Sequence, residues 1–251
     1  MTRLMPFFVA DFPDPSAFAR LLLAAQEAGA DALEVGIPFS DPVADGPVIQ
    51  AASHRALRSG VTPSKALAHL ARLRGRLRIP VVILTYLNPL LAAGTEALRA
   101  SGASAVVVPD LPPEEGGPLS ESLRRAGLDL AYCLSLEAPG TRVKRVAAAS
   151  RGFVYVVAST GTTGARKVLD PRLPSFCRRV GRATRLPRYL GFGIGTPAIA
   201  REAARHAEGV IVGSALVAEV LKEGRGLVPR VASRITAFRR ALPGDRKGRF
   251  P

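Results

Sequence analysis

Two carboxylates stand out where the surrounding residues give them little reason to be. Glu34 interrupts the apolar run Leu33-Glu34-Val35-Gly36-Ile37, and Asp45 follows in the proline- and glycine-rich stretch that continues to Gln50. An isolated carboxylate inside an apolar strand is costly unless it is protonated or paired. A buried ion pair is therefore the structural alternative for Glu34. Alternation with Leu33 and Val35 turns Glu34 to one face of its strand, and the loop bearing Asp45 can fold back over the same end. One carboxyl in an apolar setting and another on a loop can divide general-acid and general-base work. Asp41, between them, reads as a turn or capping residue.

An anion site is legible further along. Gly191-Phe192-Gly193-Ile194-Gly195 closes one strand, and Gly213-Ser214 opens a helix after the next. Glycines let the backbone come close to a phosphate, and a helix N-terminus offers free N–H groups. Either motif alone is weak and also suits an ordinary strand-end turn; together, at the end of a strand-and-helix chain, they point to a phosphate cradle. Thr160-Gly161-Thr162-Thr163-Gly164-Ala165-Arg166-Lys167 reads as a mobile lid over an anionic substrate, with a plain flexible loop as the alternative.

These groups need a scaffold that brings the ends of distant strands together. Strands are expected at 6–10, 32–37, 81–86, 105–110, 128–134, 153–158, 188–193 and 210–213, most apolar at consecutive positions, as in parallel sheets covered on both faces. Helices are expected at 16–28, 63–76, 95–101, 114–126, 139–150, 171–184, 197–206, 214–222 and 227–241. Thr62-Pro63, Ala138-Pro139, Asp170-Pro171 and Thr196-Pro197 read as helix starts, and Gly29, Gly102 and Gly127 as helix ends. Eight strand–helix units in 251 residues predict a single (β/α)₈ TIM barrel spanning 1–251, with 243–251 as a frayed tail. A doubly wound open sheet is the alternative, but no GxGxxG follows the first strand.

Composition narrows the function class. Hydrophobic residues make up 47% of the chain, enough for a large core, and no run approaches the ~20 apolar residues of a membrane span. Residues 18–30 are broken by Arg20, Gln26 and Glu27 and read as an amphipathic helix rather than a signal peptide; a cytoplasmic protein is expected. Cys133 and Cys177 have no CxxC partner and read as buried reduced thiols, and His54, His69 and His206 lack zinc-ligand spacing. The formal net charge is +15. Such a field attracts phosphorylated small molecules, nucleic acid or an acidic partner. The arginine clusters fall at helix ends, and aromatics are only 6%, so a solvated basic surface is favoured over a nucleic-acid site.

The run LEVGIPFSDPVADGPVIQ (33–50) closely resembles the signature of tryptophan synthase α subunits. The likeness continues through TYLNP (85–89), VPDLPPEE (108–115), YVVASTGTTGAR (155–166), GFGI and VGSALV, covering the chain from Met5 to about Gly226. The resemblance implies a lyase of tryptophan biosynthesis that cleaves indole-3-glycerol phosphate to indole and glyceraldehyde 3-phosphate by a retro-aldol reaction. It implies that Glu34 protonates indole C3 and handles the glycerol hydroxyl proton, and that Asp45 accepts from the indole N1–H. Tyr155 and Thr163 support these two. Gly164, Gly193, Gly213 and Ser214 form the phosphate cradle. Phe7, Leu84, Val107 and Phe192 flank the indole, with a core role equally open for Val107.

By the same resemblance this subunit needs neither metal nor organic cofactor. Pyridoxal phosphate is expected only in a partner β subunit, in an α₂β₂ heterotetramer whose interface includes residues 38–45. Neither nucleic acid nor membrane is expected as a partner. Three departures stand out. The family usually has a helix before the first strand, whereas this chain reaches Pro6 almost at once. The common Thr-Ala-Gly after that strand is Val9-Ala10-Asp11 here; if the glycine takes a positive φ, Asp11 is strained. The charge is also more basic than expected for the family. A free-standing indole-releasing lyase, an inactive scaffold that activates a β subunit, and a basic nucleic-acid binder remain the competing readings.

Overall fold

The computed structural model describes residues 2–158 and 169–244. Nine parallel strand segments form one sheet: β1 Arg3–Val9, β2 Leu33–Gly36, β3 Val81–Leu84, β4 Ala105–Val107, β5 Asp129–Ala131, β6 Cys133–Ser135, β7 Val154–Val157, β8 Arg188–Gly191 and β9 Gly209–Val212. Their order is β5-β4-β3-β2-β1-β9-β8-β7-β6. The two outermost segments, β5 and β6, are parts of one predicted strand, 128–134, interrupted only at Tyr132. The sheet therefore closes on itself, and the eight-unit barrel expected from the sequence is the fold. The interruption is bridged locally: Tyr132 N–H donates to Ser150 Oγ at 3.3 Å, and its carbonyl accepts from Tyr155 N–H at 3.1 Å.

The helices are α1 Pro15–Glu27, α2 Pro47–Arg58, α3 Pro63–Leu73, α4 Leu87–Ala93, α5 Thr95–Ala100, α6 Gly117–Arg125, α7 Gly140–Ala149, α8 Leu173–Ala183, α9 Pro197–Ala203, α10 Ser214–Leu221 and α11 Leu227–Ala241. Two of them, α2 and α4, differ from expectation, which left their residues as loop. Pro47 at the start of α2 sits where proline loses nothing, because the first-turn N–H groups have no intrahelical partner. The start of α4 is capped from a distance, with Leu87 N–H donating to Asp110 Oδ1 at 3.0 Å; no local signal announces such a cap. Thr62 and Thr196 cap α3 and α9 by accepting from Lys65 and Ile199 N–H. Two other expected starts shift: Pro139 lies outside α7 as its N-cap, and α8 begins at Leu173 rather than Pro171.

The strands are buried on both faces, and their side chains form one continuous core with the inner faces of the helices. At the N-terminal pole of the barrel, Asp31 Oδ2 accepts from Leu4 N–H and from Arg239 Nη1, both at 2.8 Å, and Arg239 also donates to the Thr2 carbonyl at 3.2 Å. This clamp ties α11 to the starts of β1 and β2. Among the described residues no helix precedes β1. Asp11 does take a positive φ of 54°. Its Oδ1 lies 2.5 Å from His69 Nδ1, a tertiary contact that holds the carboxylate where the backbone turns; aspartate also tolerates this region better than most residues.

Candidate active site

The chemistry-bearing residues converge at the C-terminal ends of the strands, as barrel geometry requires. In the β1–β2–β3 ladder, Glu34 lies opposite Phe7 and Val82, and Gly36 opposite Leu84. Cys133 lies opposite Tyr155 in the β6–β7 ladder. Gly36 and Gly191 leave room that side chains need: a Cβ would overlap the Phe7 ring at the first and the Tyr155 phenol at the second.

A narrow cleft opens at this end. Glu34, Asp45 and Tyr155 line it, together with Phe7, Leu84 and Phe192 and, at one end, Gly193, Gly213 and Ser214. The cleft thus gathers every described residue expected at the site except Val107. Val107 is fully buried in the ladder between Leu84 and Ala131 and lines neither this cleft nor the wider vestibule beside it. Its core reading is the one the geometry favours. Thr163 and Gly164 lie outside the described residues.

Glu34 is 1% exposed, and its Oε1 has no hydrogen-bond partner among the described residues. Among the described residues no cation pairs with Glu34, so they do not build the alternative of a buried ion pair. Burial, and secondarily the charge of Asp45, push the Glu34 carboxyl up to about 8. Asp45 follows a tight turn in which its N–H donates to the Pro42 carbonyl at 3.0 Å, and Gln50 Nε2 grips its carbonyl at 2.8 Å from the first turn of α2. Burial raises the Asp45 carboxyl to about 6, against the opposing effect of a hydrogen bond from Tyr86. Two carboxyls at one mouth are thereby held in different protonation states near neutral pH.

Tyr86 was not among the expected site residues. Its ring is buried against Phe39, with centroids 5.2 Å apart, and its hydroxyl accepts from Ala44 N–H at 3.0 Å while bonding to the Asp45 carboxylate. It aims the Asp45 loop. A tyrosine in the TYLNP motif was visible in the sequence, but its partner lies forty residues away in a loop whose path only the fold determines. Ile49, Ile194 and Ile211 complete the apolar wall. Cys133 also departs from expectation: it is half-buried, lines the vestibule with Asp45, Leu84 and Tyr155, and its thiol is pushed up to about 12 by burial and by Glu34. Cys177 is buried as expected.

At the glycine-lined end of the cleft, Phe192 and Gly193 take positive φ of 66° and 80°. Strain at a non-glycine residue such as Phe192 is characteristic of functional turns. Phe192 meets Tyr155 edge-on at 6.1 Å, closing the cleft between its apolar wall and the carboxyls. Gly213 forms the N-cap of α10 and Ser214 its first residue, so free N–H groups of a helix start face the cleft, the geometry suited to a phosphate.

Among the described residues no group of three metal-ligating side chains occurs, and no helix is long and apolar enough to cross a membrane. The sequence profile of the tryptophan synthase alpha chain matches residues 1–241. A tryptophan synthase alpha chain from Synechococcus sp. (strain CC9902) is 46% identical over 230 residues, 90% of this chain and 86% of that one. One from Roseiflexus sp. (strain RS-1) is 42% identical over 97% of this chain and 94% of that one. Among solved structures, tryptophan synthase from Mycobacterium tuberculosis superposes with a TM-score of 0.88 at 32% identity, covering 96% of this chain and 92% of that one. Tryptophan synthase subunit alpha from Legionella pneumophila gives 0.85 at 31% identity, covering 96% and 92%.

Proposed function

The chain belongs to the tryptophan synthase alpha chain family, whose role is the cleavage of indole-3-glycerol phosphate to indole and glyceraldehyde 3-phosphate, and from that premise we propose that Glu34 and Asp45 divide the proton transfers of a carbon–carbon lyase. The observation that carries this reading is the fully buried Glu34 carboxyl, one oxygen of which has no hydrogen-bond partner among the described residues, facing the same cleft as Asp45.

With its carboxyl raised to about 8, Glu34 holds a proton at neutral pH and can deliver it to indole C3. The ring then carries positive charge at N1, where Asp45, raised only to about 6 and therefore mostly ionised, accepts the N1–H and stabilises the charge. Glu34, now a carboxylate, takes the proton of the glycerol hydroxyl next to the ring. The electron pair of that O–H bond forms the aldehyde carbonyl, the C–C bond breaks, and its electrons restore the indole ring. Glu34 ends the cycle protonated, as it began. Tyr155 borders both carboxyls and shields them from water; Phe7, Leu84 and Phe192 hold the indole; and Gly193, Gly213 and Ser214 hold the phosphate, with Thr163 and Gly164, outside the described residues, as further proposed contributors.

The partner in this reading is a β subunit carrying pyridoxal phosphate, in an α₂β₂ assembly in the cytoplasm. Val43, 83% exposed at the tip of the Asp45 turn, is an apolar point of contact for it, and its turn adjoins the catalytic aspartate. The deciding experiment is indole release from indole-3-glycerol phosphate by the purified protein, with and without a β subunit. Activity that rises on addition of β supports the reading. Full activity alone makes the chain a free-standing lyase, and none in either setting leaves an inactive scaffold.

A further inference from the structure

Between residues 140 and 188 the chain carries twelve lysines and arginines and one acid, Asp170, so most of the net charge of +15 is concentrated in about a fifth of its length. Within this stretch α7 packs against α8 on the outside of the barrel. Several of the cations are neutralised by the fold: Arg142 and Arg145 pair with Glu114, Arg172 with Asp170 and Glu137, and Arg188 with Glu208. Arg178 and Arg182 are not. Both are exposed, they lie one turn apart on α8, and neither has an acidic partner among the described residues.

These two arginines line an open groove together with Arg172, Ser175, Phe176 and Arg179. Arg179 is held in place: its Nη2 donates to the Ala138 carbonyl at 2.7 Å, and its guanidinium lies over the Phe176 ring at 4.9 Å. Ser175 donates to the Arg172 carbonyl at 2.8 Å, which leaves guanidinium N–H groups as the donors facing the groove. Like charges at i and i+4 destabilise a helix by a few tenths of a kcal/mol; the place of Arg182 in the last turn of α8 lets the helix dipole offset part of that, and a bound anion would offset the rest.

We propose that this groove is a second anion site, separate from the catalytic cleft, that binds a polyphosphate group. Planar guanidinium forks suit phosphoryl oxygens, and charges spread over a helical turn suit a chain of phosphates better than a single orthophosphate. The Phe176 ring is 3% exposed and covered by Arg179, so no aromatic face is open for a base to stack on. Recognition therefore rests on the phosphates and not on a nucleobase.

The test is calorimetric titration of the full chain with inorganic tripolyphosphate at about 0.15 M salt, where loose surface charge is largely screened. Saturating glycerol 3-phosphate is included to occupy the catalytic cleft. The expected result is one site whose affinity falls about tenfold or more in Arg178→Ala/Arg182→Ala and is unchanged in the charge-matched control Arg72→Ala/Arg74→Ala. Indole release should be normal in both variants, which separates this site from the lyase reading. ATP binding with the same affinity would identify a nucleotide's triphosphate as sufficient; tripolyphosphate without ATP would identify the inorganic chain. No binding at that salt, equal loss in both double variants, or binding of duplex DNA in preference to both phosphates would overturn the proposal.

Discussion

Asp31, just before β2, and Glu34, within it, are three residues apart, yet the barrel treats them in opposite ways. Asp31, at the N-terminal pole, receives a backbone N–H from Leu4 and a guanidinium from Arg239, each at 2.8 Å. Glu34, pointing toward the mouth, is more deeply buried and leaves an oxygen unpartnered among the described residues. One pole spends its acid on holding the chain together; the other keeps an acid in a setting that costs stability and raises its proton affinity. The stability–function trade-off is laid out over four consecutive residues.

The comparison can be broken most sharply at Glu34. Glu34→Gln and Asp45→Asn are each expected to lower indole release by more than about 10³-fold while the far-ultraviolet circular dichroism stays unchanged. Normal turnover in either would remove the mechanism. Glu34→Gln should also stabilise the fold. The native carboxyl keeps its proton to about 8, whereas the unfolded chain releases it near 4.5. Wild-type stability is therefore lost as pH rises from 4.5 through 8. The melting-temperature advantage of Glu34→Gln should widen across that window; a constant difference would mean that Glu34 is not held protonated.

Asp31→Ala should do the reverse: a loss of about 2–3 kcal/mol in denaturant unfolding, with kcat preserved at low temperature. A selective loss of kcat would show that the two poles are not separable. Tyr86→Phe is a finer probe. The hydrogen bond that it removes holds the Asp45 carboxyl down, so the acidic limb of the pH–rate profile, expected near 6, should move to higher pH, while the alkaline limb near 8 stays. The drop at the optimum should be about tenfold, and an unmoved acidic limb would refute the positioning role. The smallest effect is expected at Val107→Ala, about 1 kcal/mol of stability with no change in KM. A raised KM would return Val107 to the indole pocket.

Much of this was legible before any coordinates. Eight apolar β-rich runs separated by amphipathic stretches specify a barrel, because period and burial are local properties of the chain. Glu34 was conspicuous because a charged residue in an apolar strand has few structural explanations, and the paired glycine motifs pointed to the glycine-lined end of the cleft because their backbone requirements are local too. The run from 33 to 50 was specific enough to resemble one family. What was missed depends on distant partners. The cap of α4 comes from Asp110, and the grip on Asp45 comes from Tyr86 and Gln50. The vestibule position of Cys133 follows from where β6 meets β7.

The residue types and their order determined which groups can move protons, which turns can hold a phosphate and which strands lie side by side. Only the tertiary structure decided that, among the described residues, a Glu34 oxygen stays unpartnered while Asp31 is clamped, that Asp45 is raised less than Glu34, and that two arginines on α8 face a groove with no acid among those residues to meet them. The physical reason is that secondary structure follows from short-range periodicity, whereas the protonation state of a carboxyl and the freedom of a guanidinium depend on which distant atoms the closed barrel brings within a few ångströms.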